Sequence, residues 1–175
     1  MKKIMFNDKF LLTQAVLNRT KTMTRRVLKG NTPKHLPYKV GEVIAIAQPY
    51  KNIIQCLPMY SDAILGVDGI PRKEFKAGWN NKMFVKASLM PHHIKITDVK
   101  VERLQDISDE NILKEGVFQF DELFYVSKNI GYAPEVAFPT AREAFWYLID
   151  SISGKGTWES NPWVAAYSFE LVDEA

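Results

Sequence analysis

The sequence predicts an α+β domain, a small mixed β-barrel with helices packed against it. Three observations point there. Strand-like runs at residues 43–47, 94–101 and 163–172 are scattered among helical segments with no regular β-α-β alternation, which argues against a doubly wound parallel sheet. Residues 8–18 and 141–152 carry apolar side chains at helical spacing. With 46% hydrophobic and 12% aromatic residues in 175, the chain can bury a sizeable core, so a single domain over 1–175 is expected and disorder is not.

Taken in order, residues 3–6 read as a short strand, and Asn7 or Asp8 offers a side-chain acceptor to cap the helix that follows. Phe10, Leu11, Ala15 and Asn18 form one stripe with Leu12 and Val16 beside it, so 8–18 reads as one amphipathic helix. From residue 20, Thr20, Thr22 and Thr24 alternate with Lys21, Met23 and Arg25. Period two and three β-branched residues favour a strand with the threonines on one face and the cations on the other.

Residues 30–37 read as a loop, and 43–47 as a strand covered on both faces. Residues 49–81, broken up by Pro58, Gly66, Gly69, Pro71 and Gly78, read as irregular, with Trp79 anchoring a loop. Strands are expected at 82–87 and 94–101, the latter with a bulge at Thr97-Asp98 where its apolar parity switches. Ser108 caps a short helix running to Glu115 and stopped by Gly116. Thr140-Ala141-Arg142-Glu143 matches a capping box opening the helix 141–152. A closing strand, 163–172, puts Trp163, Ala165, Tyr167, Phe169 and Leu171 on one face.

Charge is the strongest pointer to function. Net charge is only +3, yet residues 1–40 hold ten lysines and arginines against one acid, Asp8. Most of the chemistry sits in 19–29: Arg19, Lys21, Arg25, Arg26 and Lys29 with threonine hydroxyls between them, a composition suited to an oxyanion. Arg19, Thr22, Arg25, Arg26 and Lys29 are the candidate nucleic-acid contacts, the plain alternative being a solvated basic surface. Lys21 with Thr24 is a candidate catalytic pair, because a desolvated lysine can act as base toward a hydroxyl nucleophile. Glu115, at the unfavourable end of a helix dipole, is the third candidate. The alternatives are solvated strand residues and an exposed helix end. Trp146, Trp158 and Trp163 read as core rather than as platforms for bases.

Other classes are disfavoured. Glycine-loop nucleotide motifs and the G-x-S-x-G elbow do not occur. Cys56 is the single cysteine, which permits no internal disulfide and fits a reducing, cytoplasmic compartment. His92 and His93 would point opposite ways on a strand, so no metal and no cofactor is expected. The longest candidate apolar run, 43–47, is far too short for a membrane span.

Four blocks in order resemble the ASCH-domain proteins, a branch of the PUA-like fold. Residues 17–26 (LNRTKTMTRR) look like the family's GRKTxTRR element, and 38–42 (YKVGE) is similar to the glycine turn before its second core strand. Residues 96–108 continue the likeness. The ending, 146–169, with Asp150-Ser151-Ile152 and Asn161-Pro162-Trp163-Val164, resembles phage and prophage members. The resemblance implies a PUA-like barrel whose mouth binds RNA or a nucleotide. One branch hydrolyses the acetyl amide of N(4)-acetylcytidine with a lysine, a threonine and a glutamate, which here would be Lys21, Thr24 and Glu115. Arg19 stands where the family has glycine and Thr20 where it has arginine. The WVRE and MPRWASR blocks of phage members are only echoed by Ala45-Ile46-Ala47-Gln48 and by residues 83–88. Three functions are therefore expected in competition: an RNA- or nucleotide-binding domain with a basic cleft, an amidohydrolase of acylated nucleosides, and a phage accessory module that contacts proteins only.

Overall fold

The structure is a computed structural model that describes residues 1–30, 35–56, 61–128 and 136–172. Part of the expected loop at 30–37 lies outside the described residues, as does Pro58. In chain order the strands are β1 (Lys3–Ile4), β2 (Met23–Val27), β3 (Val43–Ile46), β4 (His93–Arg103), β5 (Phe118–Phe120), β6 (Leu123–Val126), β7 (Val136–Phe138) and β8 (Trp163–Val172). The α-helices are α1 (Leu12–Leu17), α2 (Tyr50–Cys56), α3 (Ser61–Ile64), α4 (Asp109–Lys114), α5 (Ala141–Ser153) and α6 (Thr157–Ser160). The protein is α+β, and its chain forms two compact units, one from residues 1–6, 43–95 and 172–175 and one from 7–42 and 96–171.

In the first unit β1 runs parallel to β3, and β3 runs antiparallel to the start of β4. Its core gathers Ala45, Tyr50, Ile53, Ile64, Phe75 and Met90. The tyrosine hydroxyl accepts a hydrogen bond from Lys86 N at 2.8 Å, so its burial strands no polar group. Residues 50–56 and 61–64, read as irregular from sequence, are helical. The strand expected at 82–87 does not form. Two 3-10 turns, Lys82–Phe84 and Ala87–Leu89, stand in its place. Asn81 Oδ1 takes the Met83 N–H, and Lys3 Nζ takes the carbonyls of Met83 and Val85, groups that a sheet ladder would otherwise need.

The second unit opens with a 3-10 turn, Asp8–Phe10, capped by the Asn7 side chain. The single helix expected over 8–18 is broken at Leu11, whose φ of 53° lies in the left-handed region, and α1 starts after it. Arg19 also has a positive φ, 61°. An L-residue held there costs about 1–2 kcal/mol. Strands in this unit run in the order β4-β8-β2, with Thr24 opposite Tyr167 and Arg25 opposite Ala166 in the antiparallel β2–β8 ladder. Val164 and Ala166 are buried along with Ala165 and Tyr167, so β8 is covered on both faces rather than one.

Ser108 caps α4 and Thr140 caps α5, as their sequences predict. Ala141, Ala144, Phe145, Leu148 and Ile149 form the buried stripe of α5. A separate antiparallel sheet, β5-β6-β7, packs on α5; nothing in its short, half-exposed strands stood out in the sequence. Trp158 is buried as expected, but Trp146 is 40% exposed. Among the described residues neither the β1-β3-β4 set nor the β4-β8-β2 set closes on itself, so the sheets of the expected small mixed β-barrel are not closed there.

A candidate functional site in a buried charge chain

Met23 and Arg25 share one face of β2, with Ala166 and Ser168 beside them on β8. Period two puts Asp98, Lys100 and Glu102 on one face of β4. The C-terminal end of α4 is tied to the start of β2 by the Thr22 N–H, which donates to Lys114 O at 2.9 Å. Phe169 N–H donates in turn to Thr22 O, so residue 22 is held from both sides.

These constraints assemble five alternating charges. Lys21 Nζ donates to Glu115 Oε2 at 3.0 Å, to Glu115 O at 2.7 Å and to Met23 O at 2.6 Å. Arg25 bridges two carboxylates, Nη1 to Glu115 Oε1 at 2.8 Å and Nη2 to Glu102 Oε1 at 2.6 Å. Lys100 closes the chain on Glu102 Oε2 at 2.8 Å. Lys100 is exposed at one end, while Lys21, Arg25, Glu102 and Glu115 are each at least 94% buried. The dipole conflict at Glu115 is resolved: a lysine ammonium sits on the last carbonyl of the helix and on the carboxylate together.

Three donated hydrogen bonds require three N–H groups, so Lys21 is an ammonium in this arrangement. Burial lowers its pKa from the lysine value, an effect that Glu115 opposes and that Arg26 and Arg25 reinforce. For Glu102, burial pushes the pKa upward, but the hydrogen bonds from Lys100 and Arg25 outweigh it and hold the carboxyl below the usual 4.5. A depressed carboxylate contributes stability above its unfolded pKa and loses it as pH falls through the folded value. The acid side of the stability profile, below about pH 4.5, should therefore flatten in Glu102→Gln relative to wild type. Denaturant midpoints measured from pH 6 to pH 2.5 check this; parallel profiles would remove Glu102 from the acid transition.

Beside the chain lies a cavity of about 350 Å³. Its lining holds the charged residues Arg25, Asp98, Lys100, Glu102 and Lys114 and the polar residues Thr22, Thr97, Asn111 and Ser168. Among the described residues, no group of three or more His, Cys, Asp or Glu is placed to hold a metal ion, and no helix is long and apolar enough to cross a membrane.

The candidates from sequence divide into three groups. Lys21, Arg25 and Glu115 meet in the charge chain, and Thr22 lines the adjoining cavity. Thr24 and Arg26 fall on the other face of β2 by strand alternation, Thr24 buried opposite Tyr167. The acceptors just given for Lys21 do not include the Thr24 hydroxyl. Arg19, whose Nη1 donates to Leu171 O, and Lys29 are exposed. Two of the five cations are thus neutralised inside the fold, and the strongly basic cleft expected from the charge count is not what adjoins them. Glu102, Lys100, Asp98, Asn111 and Ser168 were not singled out from sequence. The i, i+2, i+4 spacing of 98, 100 and 102 was visible there, but not the neighbouring strand they face.

No protein-family model matches the sequence, and no curated protein does. A crystallised Enterococcus faecalis protein of the DUF984 family is similar at 15% identity and a TM-score of 0.49, over 99% of this chain and 81% of that one. An ASCH domain from Lactobacillus crispatus is similar at 11% identity and a TM-score of 0.40, over 95% and 75%.

Proposed function

We propose that this is an RNA- or nucleotide-binding domain of the ASCH, PUA-like type, and that the cavity beside the charge chain holds one nucleoside unit of the ligand. The observation that carries the reading is the pre-formed wall: a buried, ion-paired run of charges next to a polar cavity of about 350 Å³, within the range of small-molecule sites. A wall of this kind costs desolvation energy that a purely structural core would avoid. Exposed Arg19 and Lys29 are the phosphate contacts in this reading, not the spent charges of Lys21 and Arg25.

Titration with a short single-stranded RNA tests it. Two phosphate contacts give a slope of log K against log salt near −1.4, at about −0.7 per contact on a single strand. Ser168→Leu, which fills the cavity without touching an ion pair, should weaken binding about tenfold or more with its circular dichroism unchanged. Absence of binding, or binding indifferent to Ser168→Leu, rejects the site.

A second reading, hydrolysis of an acyl amide on a pyrimidine nucleoside by Lys21, Thr24 and Glu115, has the Lys21–Glu115 contact in its favour and the place of Thr24 on the other face of β2 against it. Lys21 would have to release one of its three protons before acting as base, and its lowered pKa runs in that direction. Incubation with N(4)-acetylcytidine decides; equal background rates for wild type and Lys21→Ala remove the enzymatic reading.

A further inference from the structure

The cations lining the cavity are already held by carboxylates. Arg25 is bound by Glu102 and Glu115, Lys100 by Glu102, and Lys114 by Glu110 at 2.8 Å. A phosphate entering here would meet cations whose charge is already balanced by carboxylates, and it would lie against Asp98 and Glu102. What the lining adds besides those paired charges is different: the polar residues Ser168 and Asn111 and the carboxylate residue Asp98. Among the described residues the Asp98 carboxylate makes no hydrogen bond or ion pair, unlike Glu102 two turns of the pleat away.

An ionised carboxylate only accepts hydrogen bonds, so its complement is a ligand that brings two donors close together. A vicinal diol does this: its two O–H groups reach the two carboxylate oxygens at once. The ribose ring oxygen between such hydroxyls and the base is an acceptor, matched by the Asn111 amide and the Ser168 hydroxyl of the lining. We infer that Asp98 reads the 2′,3′-diol of a ribose, making the cavity selective for ribonucleosides over 2′-deoxyribonucleosides. The inference rests on the reading of the cavity as a nucleoside site and adds the group that sets sugar specificity. Asp98 lies on an exposed part of β4 outside the ion-pair chain, so its side chain is not needed to hold the fold.

The test is calorimetric titration of the full chain with adenosine, guanosine, cytidine and uridine and with their four 2′-deoxy counterparts. The ribonucleoside that binds best should exceed its deoxy counterpart about tenfold or more, the loss of one hydrogen bond to a charged acceptor. Asp98→Ala should abolish the difference between the ribonucleoside and its deoxy counterpart, weakening the ribonucleoside more than the deoxynucleoside, which keeps only its 3′-hydroxyl on Asp98; a merely structural role would weaken both equally. Equal binding of ribo and deoxy forms to the wild type overturns the diol assignment and leaves the cavity reading standing. Failure of all eight to bind overturns both.

Discussion

Glu115→Ala is expected to lower the stability of the second unit by about 3–5 kcal/mol, the cost of leaving buried charge without its partner. Lys21 is 2% exposed and would keep two carbonyl acceptors but lose its counter-ion, and Arg25 would lose one of its two carboxylates. Mutual attraction in a dry interior only just offsets the dehydration of such groups, so removing one member hurts more than the intact pair helps. The double variant Lys21→Met/Glu115→Leu removes both ends of one pair and leaves Arg25 on Glu102. It should recover most of the loss. Urea denaturation of the three proteins measures this. A penalty below about 1 kcal/mol for Glu115→Ala would mean that water reaches the chain and that these charges behave as surface pairs.

Gly116→Ala should cost about 2–4 kcal/mol, from two sources that the structure separates. Gly116 has φ of 110°, which strains any L-residue by about 1–3 kcal/mol. An added Cβ would also stand 2.6 Å from Leu12 Cδ2, inside contact distance, at a point where α1 packs on the end of α4. Lys21 Cδ would be 3.7 Å away, an ordinary contact, so the charge chain itself is not displaced directly. A double-mutant cycle with Leu12→Ala tells the two costs apart: the clash disappears and the backbone strain stays, so the combined loss should fall short of the summed single losses. Strict additivity would show that the leucine simply swings aside.

Local signals were readable wherever the physics is local. Ser108 and Thr140 cap their helices because a side-chain oxygen meets an N–H three residues on, a relation contained within four residues of sequence. The stripe of α5 follows from its 3.6-residue period in the same way. Residues 82–87 misled because the Lys3 side chain, some eighty positions away in sequence, caps the carbonyls there. The helix at 8–18 misled because its apolar spacing says nothing about a left-handed residue at Leu11. The β5-β6-β7 sheet escaped notice because three- and four-residue strands with half-exposed aromatics carry too short a period to register.

The site divides along the same line. The residue order alone established that positions 1–40 are strongly basic, and it made Lys21, Thr24 and Glu115 catalytic candidates and Arg25 a candidate nucleic-acid contact. Only the tertiary structure decided that β4 and β2 flank the same strand, β8, so that Glu102 reaches Arg25 across 77 positions and Glu115 reaches Lys21 across 94. It also decided that two of the cations are neutralised internally and that Thr24 turns to the opposite face. Strand order is set by packing between segments distant in the chain, and no periodicity within one segment encodes which neighbour it will meet.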